Sequence, residues 1–385
     1  MIYEPAEDSY LLQKQIKKYC KPSSVVLDIG TGSGIQAREA ALYCNNVIGV
    51  DIQQSVIDNL NEHKKYFKNK RLKRIKYKVS DLFSNVKGKF DLILFNPPYL
   101  PQDIGIDDIT IYGGKKGYEL IERFLSEVNN YLKVGGKVLL LFSSLSKEKK
   151  VIEFIEKSGL KHKIISKQKV FFEELFVVLL EKNDLVKTLE KKNVKNIKLF
   201  AHGRRGLIYT GDLGKKKISI KTKHPQSKAV GRIKNEIKFL KIFNKKRIGP
   251  KILFFGKGYF AYKFVEGIFI KEFLEKSSKA KIKKVLKNVF EQCFVMDKLG
   301  VNKEEMHNPY KHVIVGKKIV LIDFERSNFS PKVHNVTQFL QYLLRNQKLL
   351  NKKGFKVDRD KLIELGQEYK GDLNKVNFNR ILKIL

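Results

Sequence analysis

From residue 24 to residue 144 the chain alternates continuous apolar runs with amphipathic stretches, and the apolar runs end on different chemical groups. The runs are "SVVLDIG" (24–30), "NVIGVDI" (46–52), "IKYKVSDLF" (75–83), "FDLILFNPPY" (90–99) and "KVLLLFSS" (137–144). Between them lie helix-like segments such as "GIQAREAALYC" and "YELIERFLSEVNNYL". Strands that alternate with helices require parallel pairing, with both faces of the sheet covered. Residues 161–183, "KHKIISKQKVFFEELFVVLLEKN", instead read as two adjacent strands forming a hairpin that closes the sheet. The expected fold is α/β: a doubly wound, mostly parallel seven-stranded sheet with a terminal antiparallel hairpin.

A chain of 385 residues exceeds what one such sheet needs, and two domains are expected. The polar, Lys-rich stretch "NDLVKTLEKKNVKN" (183–196) reads as the join, giving domains at 1–183 and 197–385 with 184–196 as linker. Past it the pattern is strand-rich to about residue 265 and mostly helical afterwards, an α+β arrangement. No apolar run is long enough to span a membrane, and "MIYEPAEDSY" lacks a basic-then-apolar leader. Cys20, Cys44 and Cys293 are far apart in sequence, and the seven histidines show no metal-ligand spacing, so a reducing cytoplasm is expected. With 78 Lys+Arg against 40 Asp+Glu, the net charge of +38 admits association with RNA or ribosomes through a basic surface. A Lys-favouring codon usage accounts equally well for that charge.

The strand ends define a nucleoside pocket. "LDIGTGSG" (27–34) leaves a strand and opens a helix, and Gly30, Gly32 and Gly34 let a ligand approach the backbone. Dinucleotide and S-adenosylmethionine sites share this turn. Asp51 ends the second strand, where a carboxylate accepts from a ribose diol, and Asp81 ends the third, where one accepts from an adenine amino group. The fourth strand delivers Asn96-Pro97-Pro98-Tyr99 to the same edge. An amide or aromatic amino nitrogen has its lone pair tied up in conjugation. The Asn side-chain oxygen and a proline carbonyl, each accepting one N–H, turn that lone pair toward an electrophilic methyl. The prolines hold the carbonyl still, and Tyr99 stacks on the planar group.

These residues resemble the Asn-Pro-Pro-Tyr methyltransferases of the class I fold, which use S-adenosylmethionine on planar nitrogens. "YEPAEDSYLL" (3–12) and "YGGKKGYELIERFL" (112–125) are similar to segments of the archaeal and eukaryotic branch of the HemK-type protein glutamine methyltransferases, over residues 2–183. The resemblance implies that Glu4, Pro5, Glu7 and Asp8 border the cofactor and substrate cleft, with Glu4, Pro5 and Asp8 among the cofactor-binding residues. It implies a cofactor site of Asp28, Gly30, Thr31, Gly32, Gly34, Asp51, Ile52, Asp81, Leu82 and Asn96, with Asn96, Pro97, Pro98 and Tyr99 gripping the target amide. It further implies the Gly-Gly-Gln glutamine of a peptide-chain release factor as substrate, and a small zinc-binding activator subunit as partner. The alternative is an RNA or DNA base N-methyltransferase using the same pocket, although no nucleic-acid recognition module is evident in residues 1–183.

The second half carries another constellation. "FAHGRRGLIYTGDLGKKKISIKTKHP" (200–225) reads as strand, glycine turn, strand, turn, strand, with Gly203 and Gly206 able to cover phosphates and Lys221 facing one side. "GRIKNEIKFLKIF" is an amphipathic helix offering Glu236 as ion-pair partner for Lys221, and "KHVIVGKKIVLIDFERSN" (311–328) is a hairpin ending at Asp323. This set resembles the small archaeal RIO-like and Kae-associated kinases over about residues 197–345. The resemblance implies ATP and Mg2+ as ligands, with Asp323 binding the metal. His312 stands where the second metal-holding asparagine is usual, and Glu305, or its neighbour Glu304, stands where the catalytic aspartate is usual. A non-catalytic docking module is the other reading of this half.

Overall fold

The computed structural model describes residues 3–103, 108–202, 206–223 and 231–385. The chain divides into two compact units, Met1–Leu199 with Asp212–Gly214, and Phe200–Gly211 with Lys215–Leu385.

In the first unit, α1 (Glu7–Ile16) precedes β1 (Val25–Ile29), α2 (Ile35–Tyr43), β2 (Asn46–Asp51), α3 (Gln54–His63), α4 (Lys70–Lys73), β3 (Lys76–Val79) and β4 (Phe90–Phe95). Then follow α5 (Glu119–Tyr131), β5 (Leu132–Ser143), α6 (Glu148–Lys157), β6 (Leu160–Val170), β7 (Glu173–Lys182) and α7 (Asp184–Lys191). The seven strands form one sheet in the order β3-β2-β1-β4-β5-β7-β6. Pairings through β5 are parallel; β7 runs antiparallel to both β5 and β6. This is the expected class I arrangement with its closing hairpin.

Side-chain alternation along the strands builds two cores. Leu27, Ile93, Phe95 and Leu140 pack with Ile121, Phe124 and Val128 of α5 and Val151 and Ile155 of α6. Their strand neighbours Val26, Leu92, Leu94 and Leu139 pack on the opposite face with Leu12 and Ile16 of α1, Ala37 and Ala40 of α2, and Val56 and Leu60 of α3. Burial on both faces explains why these strands read as continuous apolar runs. The sheet order reverses between β1 and β4, which opens a crevice at their carboxyl ends.

The stretch 184–196, read as a linker, carries helix α7. The Asn183 side chain caps it by accepting from Val186 N–H at 2.9 Å, and Val186 and Leu189 are buried. Lys182, fully buried, donates to the Leu132 carbonyl at 2.7 Å and to Glu190 Oε1 at 2.6 Å, fixing the helix.

After α7 come β8 (Val194–His202), β9 (Gly206–Leu213), β10 (Lys216–Lys223), α8 (Arg232–Lys245), β11 (Ile252–Gly256) and β12 (Tyr259–Lys263), with a five-stranded sheet ordered β11-β12-β10-β9-β8. Then come β13 (Ile268–Phe269), α9 (Ile270–Lys276), α10 (Lys279–Lys298), β14 (Val301–Asn302), β15 (Val313–Val315), β16 (Ile319–Leu321) and β17 (Asn328–Phe329). Helices α11 (Asn335–Arg345), α12 (Gln347–Lys352), α13 (Arg359–Gly371) and α14 (Lys375–Lys383) complete the second unit. Buried Asp297 of α10 accepts from Asn335 N, Asn335 Nδ2, Val336 N and Tyr369 Oη, tying α10 to α11 and α13. Among the described residues, no helix is long and apolar enough to cross a membrane.

Candidate functional site

A cavity of about 450 Å³ occupies the crevice at the carboxyl ends of the first unit's strands, a size suited to a nucleoside-sized ligand. Its wall brings together Asp8, Gly30, Thr31, Gly32, Asp51, Ile52, Asp81, Leu82 and residues Asn96 to Tyr99, which come from five separate stretches of sequence.

The glycine turn is held by its neighbours. Gly32 has φ +48, and its N–H donates to Asp51 Oδ2 at 3.0 Å. Asp51 Oδ1 accepts from Gln53 N–H at 3.1 Å, while Thr31 N–H reaches the Val50 carbonyl at 2.9 Å. These bonds fix the Asp51 carboxylate at the cavity wall, and each oxygen keeps lone-pair capacity for a diol. Asp81 meets Arg123 Nη2 at 2.8 Å, so one of its oxygens is engaged by a cation that no sequence signal marked. Leu82, buried and at φ +48, follows it.

Glu4, Pro5, Asp28 and Gly34 are not on the cavity wall. Asp28 lies beneath the turn, 1% exposed, accepting from Thr31 Oγ1 at 2.6 Å and Ala37 N–H at 3.1 Å through the same oxygen. Burial pushes its carboxyl up to about 7. Its place in this structure is to clamp the turn to α2. Gly34 packs against Leu60 and Tyr77. Glu4 is solvent-exposed and Pro5 half-buried.

The Asn96 carboxamide is oriented from behind. Its Nδ2 donates to Asp8 Oδ2 at 2.9 Å, and the other Asp8 oxygen accepts from Tyr3 Oη at 3.1 Å and Ser9 N–H at 2.5 Å. An ionised carboxylate only accepts, so it selects the NH2 end of the amide and turns the oxygen away. Asn96 Oδ1 is buried without a hydrogen-bond partner. Buried acceptors are almost always satisfied, and because Asn96 lines the cavity, its unpartnered oxygen marks a place for a donor from another molecule. Tyr3 also lines the cavity, a contact that the sequence did not flag.

The loop after Asn96 is fixed by the Gly113–Gly117 segment. Leu100 N–H donates to the Ile111 carbonyl and Gly113 N–H to the Leu100 carbonyl, both at 3.0 Å. A Cβ on Gly113 would stand 2.5 Å from the Pro98 carbonyl oxygen, and one on Gly117 would stand 2.5 Å from that of Tyr99. Ser146 Oγ donates to the Tyr99 carbonyl at 2.8 Å. Burial, then the charges of Asp8, Glu173 and Glu7, push the Tyr99 phenol up. In a chain of net charge +38, the cavity wall itself carries Asp8, Asp51, Asp81 and Glu119 alongside Arg123.

In the second unit, Lys221 Nζ lies 2.7 Å from Glu236 Oε2 and 2.8 Å from Asp323 Oδ1. Burial opposes the lysine's charge, but the two carboxylates outweigh it and hold its pKa above the ordinary value. Burial alone would raise the Asp323 carboxyl; Lys221, then Lys303 and His312, bring it to about 2. Asp323 has φ +64, a conformation rare for a residue with a side chain and typical of functional strain. Fully buried Lys303 donates to the Asp323 carbonyl at 2.5 Å and meets Glu305 Oε2 at 3.4 Å. Glu304 instead accepts from Asn328 Nδ2 at 2.8 Å, so Glu305 is the acid that shares Lys303 with the Asp323 backbone. His312 Nδ1 stands 3.8 Å from Asp323 Oδ2 without a hydrogen-bond partner, and burial, then Lys303, lowers its pKa to about 4. No group of three or more metal-ligating side chains occurs among the described residues. Gly206 starts β9, and Gly203 lies outside the described residues.

Residues 7–172 match the family model for the methyltransferase small domain. Over 183 residues the chain is 43% identical to a Methanocaldococcus jannaschii protein described as a candidate protein N5-glutamine methyltransferase, covering 46% of this chain and 90% of that protein. It is 30% identical to the release factor glutamine methyltransferase of Buchnera aphidicola, covering 34% of this chain and only 50% of that enzyme. It is 26% identical to the Homo sapiens methyltransferase HEMK2, covering 41% of this chain and 79% of that protein.

Proposed function

Because the chain belongs, through its first unit, to the HemK-type glutamine methyltransferase family, we propose that it methylates the side-chain nitrogen of a protein glutamine. We propose further that this glutamine lies in the Gly-Gly-Gln motif of a peptide-chain release factor. S-adenosylmethionine, when bound, supplies an electrophilic methyl carbon on a sulfonium. The residues present suit it: a cavity of about 450 Å³, a fixed carboxylate at Asp51, and backbone that approaches closely at Gly30 and Gly32.

The observation that carries the reading is the open acceptor at Asn96 Oδ1. One N–H of the target amide donates to it and the second to the Pro97 carbonyl. The nitrogen lone pair then leaves conjugation and points along the cavity. Tyr99 covers the amide plane, and its raised pKa keeps it neutral, so it adds no charge beside the reacting nitrogen. That lone pair would form the new N–C bond as the methyl's bond to sulfur breaks, the electron pair staying with sulfur and cancelling its positive charge. The nitrogen would then release a proton to water. Positioning of this kind contributes about 7–11 kcal/mol in well-oriented systems.

The carboxylates on the cavity wall, Asp8, Asp51, Asp81 and Glu119, favour a polypeptide acceptor over a phosphodiester chain, which they repel. Mass spectrometry of a release factor co-expressed with this chain tests the reading, with +14 Da expected on the motif glutamine. Methyl label found in total RNA and absent from the release factor would instead favour the base methyltransferase. The family resemblance also carries a small zinc-binding activator subunit, which co-purification would reveal.

For the second unit we propose Mg-ATP binding. The Lys221–Glu236–Asp323 ion-paired set supports it, with Lys221 toward the phosphates and Asp323, beside His312, toward the metal. Glu305 is the acid proposed to orient an acceptor hydroxyl. A thermal shift induced by Mg-ATP and abolished by Asp323→Ala is expected; no shift in the wild-type chain would leave a docking module.

A further inference from the structure

The turn joining β6 to β7 contradicts its own sequence chemistry. Val170 pairs with Glu173, so the loop is two residues, Phe171 and Phe172. Such a hairpin takes glycine where the first central residue has positive φ, yet Phe171 stands there at φ +43. Both rings point into solvent, 87% and 99% exposed. A bulky residue in this conformation is strained, and two exposed phenylalanines add an aggregation hazard. Local choices that work against the fold gather where a protein makes contacts.

The location of the turn supplies the second observation. β7 begins opposite the carboxyl end of β5, with Leu175 paired to Ser143, so the tip projects from the edge of the sheet that carries the cavity. Ser143 Oγ donates to Glu173, and Glu174 N–H donates to Ser144 Oγ at 3.0 Å. Two residues further on, Ser146 holds the Tyr99 carbonyl. A short line of contacts therefore runs from the Phe171–Phe172 tip to the residue proposed to cover the target amide. Half-exposed Leu145 lies within that line and widens the apolar surface. Glu173 also stands near enough to Tyr99 and Tyr3 to act on both phenols, beside the larger effects of burial and Asp8.

Resting on the glutamine-methylation reading, we propose that Phe171 and Phe172 are the docking contact for the acceptor protein. They would bind apolar surface flanking the target glutamine while its carboxamide enters the cavity. The occupant is the acceptor polypeptide because the tip is joined through Glu173, Ser143 and Ser146 to the Tyr99 carbonyl, beside which the target amide enters, while Glu174 is paired with Lys167 and leaves the tip's charge balanced. The two-residue turn keeps both backbone positions projecting, which lowers the backbone part of the ordering cost at binding.

The test uses the full chain carrying Phe171→Gly with Phe172→Ser, which gives the turn its preferred chemistry and keeps the fold. The melting temperature should hold or rise, and S-adenosylhomocysteine binding should be unchanged. On a short free peptide containing Gly-Gly-Gln, kcat/KM should match the wild type. On the intact release factor, KM should rise at least about tenfold. An unaltered KM on the intact factor would overturn this assignment while leaving glutamine methylation standing. Methylation of neither acceptor by the wild-type chain would bring down both readings. Wild-type self-association lost in the variant would make the tip a contact between copies and overturn the proposal as well.

Discussion

Asn96 and Asp8, 88 positions apart, meet at 2.9 Å so that the amide NH2 is held by the carboxylate and the amide oxygen is left open. Asp8→Asn replaces an acceptor-only group by one that both donates and accepts, so Asn96 loses its enforced orientation. The turnover rate should fall about 100-fold. S-adenosylhomocysteine affinity, read by calorimetry, should stay within about threefold of the wild type. Equal losses in rate and affinity would mean that Asp8 supports the cofactor side instead.

Gly117 has φ +80 and sits under the Tyr99 carbonyl, where an added Cβ would lie 2.5 Å from the oxygen. Gly117→Ala should displace the Pro98–Tyr99 backbone and lower methyl transfer about 100-fold or more. Gly88→Ala is the control, because Gly88 has φ +91 with open space around its missing Cβ. Both variants lose stability through strain, of about 1 kcal/mol or more, but only the first should lose activity beyond it.

Lys182 and Glu190 form a pair in which the lysine is fully buried. Lys182→Met should destabilise the first unit by about 2–4 kcal/mol in urea titration, since it leaves Glu190 with only the longer Lys89 contact at 3.7 Å and frees the Leu132 carbonyl. Adding Glu190→Leu should recover most of that loss. A double variant as unstable as the single one would show that the bond to the Leu132 carbonyl is the dominant contribution.

Asp28 gives a pH signature. Its folded pKa of about 7 lies above its unfolded value near 3.8, so the folded state binds the proton more tightly. Stability from this group is full below pH 4 and declines as pH rises to about 7. Asp28→Asn, which cannot ionise, should flatten this decline in denaturation measured from pH 4 to 8. An unchanged slope would mean that Asp28 titrates normally.

Much of the first unit was legible because the fold repeats one grammar. Apolar runs bounded by turn residues located the strands, and Gly30, Asp51, Asp81 and Asn96 marked strand ends that the parallel order brings to one edge. What was not legible depends on distant partners. Arg123 lies on α5 with nothing in its spacing to say that it meets Asp81, and Tyr3 acquires its place only through Asp8. Asp28 shares the glycine motif, yet backbone geometry turns it under the turn. For the stretch 184–196, composition outweighed a readable signal: Asn183 caps a helix whose Val186 and Leu189 are three apart on one face. In the second half, the lysine, glutamate and aspartate singled out by order alone do converge, whereas buried Lys303 looked like one more surface lysine.

The most direct measurement pairs methyl-transfer rate with S-adenosylhomocysteine affinity in Asn96→Ala, using release factor as acceptor. That variant deletes the open oxygen and leaves Asp51 and the glycine turn untouched. Transfer should fall by about 1,000-fold or more while affinity stays within about threefold. Transfer at near wild-type rate, or collapse of affinity in a variant that remains folded, would contradict the account.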